Sequence, residues 1–390
     1  MTTPDALPLA EPKSKLHGLD HLRALAILLV FFFHYGRLFP HPEWTHAISK
    51  FGWTGVDLFF VLSGYLIASQ LFQKIANGEG VLLKEFFIKR FFRIIPAYAV
   101  VVAIYFCFPF AREREALAPL WKYLTFTQNL GLDIYSRGTF SHAWSLCIEE
   151  QFYSFLPLIL LALVHFNSMN KGFRVLAGLF VLGFAIRLYS YQTLVAVHGN
   201  GDRFWLYWYQ WIYYPTYCRL DGLLAGVSLA GLLQFYPVLK DRLLRYGNLL
   251  LATSLLVLTG AYLVCLDEQS FIASVFGFPL VSIGYGVMVL GAISPSSFLF
   301  RFKSGVLSRI AALSYAVYLT HKIIIHVTQE LLAGSAVAKD GNTMFVICTF
   351  TSLLGAFLLN QLVEKPFLRL REKLLPAKDA RAQPQFAAHG

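Results

Sequence analysis

The chain has 390 residues, of which 57% are hydrophobic and 16% aromatic while only 14% are charged, and its mean hydropathy is +0.56. That balance excludes a soluble globular domain; with apolar stretches recurring from Leu19 to Leu370, it reads as one all-α polytopic transmembrane helix bundle. The net charge of +11 is explained by membrane topology and anionic lipid rather than by nucleic acid, since no recognition motif accompanies it.

Residues 1–18 lack the basic region, apolar core and cleavage site of a signal peptide, so they are expected to form a cytoplasmic N-terminal segment. Ten spans follow near 19–39, 52–76, 90–110, 142–166, 173–197, 217–236, 247–267, 272–293, 308–333 and 343–370, each close to the ~20 apolar residues that cross the hydrocarbon core. Together they define a transmembrane body over 19–374. The aromatic segment 203–216 is too short for a span and reads as an interfacial belt between spans five and six. The polar, proline-bearing end, 375–390, reads as a disordered cytoplasmic tail. Most of the 33 lysines and arginines fall on the side shared by the two ends, which places both termini in the cytoplasm. Five isolated cysteines, with no C-x-x-C pair and no Cys/His ligand spacing, argue against disulfides and structural metal.

Ionisable residues inside spans are costly, and by default they mark a site. The eleven-residue step from Arg23 to His34 turns a helix by about 1100°, so both side chains leave one face, with His34 roughly 16 Å farther along the axis. Asp57 falls in the outer part of the second span. His142, Ser145 and Glu149 form a polar stripe in the outer half of the fourth, which brings Glu149 to the depth of His34. Arg219 and Asp221 open the sixth span, and His321 lies near the middle of the ninth. Arg90 and Arg93, one turn apart, sit at the inner mouth of the third. A histidine beside a carboxylate suits general-base work. Paired arginines suit phosphate, so the layout predicts a donor entering from the cytoplasm and an acceptor approaching from outside.

Six collinear strings carry a resemblance over nearly the whole chain: Arg23…His34, GVDLFFVLSGYLI at 55–67, RFFRIIP at 90–96, WSLCIEEQFY at 144–153, RLDGLLAG at 219–226, and SYAVYLTH at 314–321 followed by EKPF at 364–367. In these the chain resembles the type-3 membrane acyltransferases, integral membrane O-acyltransferases of bacteria. The resemblance implies transfer of an acyl group, commonly acetyl from acetyl-CoA, to a hydroxyl of a carbohydrate or other small-molecule acceptor outside the cell inner membrane, with no metal. It also implies acting alone or handing the acyl group to a separate acceptor-side acyltransferase. It makes Arg23 and His34 the essential pair, Arg90 and Arg93 the matching arginine motif and Glu149 the acid of the WSL motif; chemically the arginines would bind CoA phosphates and Glu149 would orient His34 or stabilise its imidazolium. Asp57, Arg219 and Asp221 become either acceptor-side groups or an internal ion network, and His321 an acceptor-side group. His34 is then a base, or the carrier of an acyl-histidine. Without the resemblance, Arg90 and Arg93 read better as positive-inside anchors than as a donor site, and the mid-depth charges would also suit a proton-coupled secondary transporter. A transporter predicts repeat symmetry and matched broken helices, which the sequence does not display.

Overall fold

The computed structural model describes residues 17–199 and 201–375. The expected N-terminal segment therefore lies outside the described residues except for its last two positions, and the expected tail except for Leu375. Among the described residues the regular structure is helical throughout. The long helices are α1 (His17–Leu38), α2 (Gly55–Ala76), α3 (Leu83–Cys107), α4 (Trp144–His165), α5 (Gly172–Ser190), α6 (Asp221–Phe235), α7 (Gly247–Val264), α8 (Phe278–Ile293), α9 (Gly305–Leu331) and α10 (Asn342–Leu359), the last continuing through a π turn into α11 (Lys365–Leu374).

Nine of the described segments are long and apolar enough to cross a membrane, and the pair Asp221–Phe235 and Pro237–Leu244, bent by 108°, makes up to ten when counted as one broken span. The break has a local cause. Pro237 supplies no N–H and disfavours a helical Tyr236, so the chain turns there and restarts with proline in the first turn. At the third crossing, the helix starts at Leu83 rather than near residue 90: Glu85 bridges Lys74 at 2.7 Å and Lys89 at 2.5 Å, which makes a charged first turn helical before the apolar run begins.

Burial sorts the helices. Central α8 keeps 72% of its most apolar stretch inside the bundle, whereas the stretch containing α5 keeps 6%. Val181 and Leu182 on α5, Leu255 and Leu256 on α7 and Phe350 on α10 point outward, as lipid-facing side chains do. The tightest pair is α2 with α6. A Cβ at Gly226 would overlap the Val61 carbonyl oxygen, and one at Gly64 the Leu223 carbonyl oxygen, so the two backbones touch through glycine. That approach brings Asp57 of α2 against Arg219, two residues before α6, at 2.9 and 3.0 Å. Segment 203–216 departs from the expected belt. It folds inward as a short helix and a π turn, burying Trp208, Ile212, Tyr213 and Tyr214, with Trp208 Nε1 donating to Ser274 Oγ at 2.8 Å.

Candidate active site

Two polar cavities enter the bundle, one from the face where α1 begins and one from the face where it ends. The lower cavity has a volume of about 700 Å³ and is lined by Asp20, Arg23, Ser63, Arg90, Arg93, Glu149, Tyr153, Tyr315, Lys365 and Arg371 among others. The upper, about 210 Å³, is lined by His34, Arg37, Trp53, Arg114, His142, Trp144, Trp205, Tyr209, Tyr213, Tyr214 and Lys322. Tyr318 of α9 lines both. Its hydroxyl donates to the His142 carbonyl and accepts from Ser145 Oγ at 2.6 Å, so one ring and two hydrogen bonds form the partition between the chambers.

The lower chamber is cationic. Arg23 reaches Asp20 at 3.3 Å across one helical turn, Arg93 meets the buried Glu364 at 3.2 Å, and Arg90 lies over the Tyr153 ring at 5.5 Å. Lys365 and Arg371 add two charges from α11. Glu149 accepts from Ser63 Oγ at 2.7 Å here. The arrangement offers several guanidinium groups to one polyanion in a space of ligand size.

Three imidazoles cluster at the upper chamber, His34 and His142 in its lining and His321 buried behind them. His34 Nδ1 lies 3.0 Å from His321 Nε2, while His321 Nδ1 sits 2.8 Å from the Val317 carbonyl and 3.0 Å from that of Tyr318. Carbonyls only accept, so in a neutral pair His321 carries its proton on Nδ1, its Nε2 accepts, and His34 donates from Nδ1. The lone pair of His34 is thereby placed on Nε2. His142 packs its ring 5.7 Å from His34 and 5.2 Å from His321, centroid to centroid. One of its nitrogens interacts with the Leu319 carbonyl without reaching bonding geometry. Three imidazoles together suggest a metal centre, yet among the described residues no group of His, Cys, Asp and Glu is placed to hold an ion. His321 has spent both nitrogens, and His34 one.

The structure divides the expected site residues between these chambers. Arg23, Arg90 and Arg93 come together below; His34 lines the upper chamber, while His321 lines neither and is buried behind His34. Glu149 is not at the depth of His34. Seven residues beyond His142, it lies roughly 10 Å farther along α4, past the Tyr318 partition, and His34 takes His321 as its partner instead. Asp57, Arg219 and Asp221 line neither chamber. Arg219 is fully buried, bidentate to Asp57 and caged by the rings of Trp53, Trp144, Tyr213 and Phe278 at 3.9–5.9 Å; Asp221 pairs with the buried Arg187 at 2.5 and 3.1 Å. Of the two options for these three, the geometry is that of an internal ion network, which fixes the aromatic floor of the upper chamber.

Three groups lay outside the expected set: Tyr318, Lys322 and Glu113. The spacing Tyr318, His321, Lys322 is i, i+3, i+4, one helix face, and that signal was available in the sequence. Lys322 Nζ meets Glu113 Oε1 at 2.7 Å, both side chains almost wholly buried. Burial alone would raise the Glu113 carboxyl. The Lys322 ammonium and bonded backbone N–H groups outweigh it and hold Glu113 below the usual carboxylate range.

Residues 16–361 match the family described as an acyltransferase domain. The chain is 27% identical over 393 residues to a Staphylococcus aureus (strain MRSA252) protein named as a candidate O-acetyltransferase, covering 95% of this chain and 60% of that one. It is 30% identical over 342 residues to O-acetyltransferase OatA of Staphylococcus aureus (strain NCTC 8325 / PS 47), covering 82% of this chain and 52% of that one. The chain thus spans little more than half the length of these curated relatives. No solved structure matches it.

Proposed function

We propose, from the premise that this chain belongs to the acyltransferase-domain family, that it is a membrane O-acetyltransferase. It takes an acyl group, acetyl first, from acyl-CoA in the lower chamber and transfers it to a hydroxyl of a carbohydrate or related acceptor in the upper one. The lower chamber would open to the cytoplasm and the upper to the outside of the inner membrane, with both termini cytoplasmic. The observation that carries the reading is the pair of chambers meeting at Tyr318, with arginines on one side and an imidazole lone pair on the other.

Each residue has a task on this reading. Arg90 and Arg93, together with Arg23, hold the CoA phosphates through charge-assisted bonds. Glu149 faces the donor and is available to accept an amide N–H of its pantetheine arm. The thioester reaches His34 when the Tyr318 ring turns aside. His34 Nε2 takes the proton of the attacking hydroxyl, while His321 holds the ring in the tautomer that leaves that nitrogen bare. The same nitrogen would also serve as nucleophile if an acyl-histidine forms, and the oxyanion then arises at the same place. Trp205, Tyr209 and Tyr214 offer flat faces of the kind that stack on sugar rings.

Purified chain in lipid nanodiscs, given acetyl-CoA and a panel of sugar acceptors, should release free thiol, and folded His34→Ala should be slower by about 10²-fold or more. Wild-type protein that leaves the thioester intact, as a transporter would, or a His34→Ala variant as fast as wild type, defeats the proposal.

A further inference from the structure

The chemistry assigned so far makes no use of the buried ammonium beside His34. Lys322 is 1% exposed, lines the upper chamber and follows His321 directly on α9. Its ion-pair partner is Glu113 Oε1, and that same oxygen also accepts the Phe140 N–H at 3.1 Å. An ammonium has three N–H donors, and Glu113 occupies one. Burying such a pair gains little in stability, since apolar residues of similar volume serve as well or better, so packing does not explain why a charge is kept here. The chamber lining itself contains Arg37, Arg114 and Lys322 and no carboxylate. Of these three cations only Lys322 is buried; Arg37 and Arg114 are exposed at the rim.

We propose that Lys322 Nζ stabilises the oxyanion of the acyl-transfer step. This rests on the acyltransferase reading of His34. The acceptor oxygen bonds to the thioester carbonyl carbon as its proton passes to His34 Nε2. The C=O π pair moves onto the carbonyl oxygen, and Lys322 meets that charge with an N–H bond, giving up no proton. The pair then returns, the C–S bond breaks, and the departing sulfur takes the proton from His34. Charge thus develops beside a fixed, buried cation, where such a donor acts more strongly than it would in water. Glu113, descending from the connection between α3 and α4, is the positioning residue that holds Nζ in place.

Lys322→Met alone would strand the Glu113 carboxylate, so the test variant pairs it with Glu113→Gln. In nanodiscs, with acetyl-CoA and an acceptor that wild type uses, kcat of the double variant should fall by about 10²–10³-fold. KM for both substrates, and CoA binding by calorimetry, should stay within about threefold. Lys322→Arg, which keeps the charge, should recover at least tenfold of the loss. A monodisperse, CoA-binding double variant with kcat near wild type overturns the proposal and leaves a structural ion pair. So does an arginine variant no better than the double one. Wild type that consumes no acetyl-CoA overturns the acyltransferase reading itself, an outcome separable from both.

Discussion

An imidazole is useful as a base only if the right nitrogen is bare, and in this protein that choice is made by hydrogen bonds rather than by His34 itself. Two backbone carbonyls fix the proton of His321, and His321 fixes that of His34. Replacing His321 by leucine removes the acceptor and frees the His34 ring to adopt the other tautomer, whereas glutamine keeps a carbonyl that can receive the His34 Nδ1–H. With CoA binding and monodispersity as controls, His321→Leu should lose about 10²-fold or more in kcat. His321→Gln should stay within about tenfold of wild type, and KM for acetyl-CoA should move in neither. Equal rates for the leucine variant and wild type would remove the tautomer argument. At this scale the sequence was only partly legible. The step from Arg23 to His34 located two candidate residues, but depth along α4 was misjudged for Glu149, because a count of residues does not reveal that Tyr318 of another helix closes the space between it and His34.

Helices were easier to read than their contacts. Apolar length marks a span whatever it packs against, which is why nine candidate spans and the bent pair lie close to the expected positions. Segment 203–216 was misread because aromatic richness is shared by interfacial belts and by buried rings, and only the cage around Arg219 distinguishes them. The α2 and α6 pair is a case where an element's role hangs on a missing side chain. Gly226→Val must push the Val61 carbonyl away, separating the helices that align Asp57 with Arg219, whereas a Cβ at Gly231 meets only the rings of Phe72 and Phe173, at 3.4–3.5 Å. Overpacking costs typically about 1–3 kcal/mol, and here the obstruction is backbone rather than a flexible side chain. Gly226→Val should therefore lower the melting temperature sharply in a fluorescence-detected size-exclusion assay, and Gly231→Ala should scarcely change it. Similar melting temperatures for the two variants would show that the close approach is dispensable.

For the whole molecule, the decisive quantity is orientation, because a donor chamber lined with arginine is useful only on the side where CoA thioesters are made. The unequal distribution of lysine and arginine argues that the lower chamber faces the cytoplasm. The chain contains a native reporter of this. All five cysteines are free, four are buried, and Cys107 alone is exposed, at the end of α3 on the face where the upper chamber opens. A span over 90–110 would have placed that thiol within the hydrocarbon; the helix instead ends at Cys107, and the chain continues into the connection that carries Glu113. A membrane-impermeant maleimide added to intact spheroplasts should accordingly label the wild-type protein, and Cys107→Ser should abolish the labelling. Labelling that appears only after permeabilisation would reverse the bundle. The imidazole chamber would then face the CoA pool and the arginines the outside, and the direction of transfer proposed above could not hold.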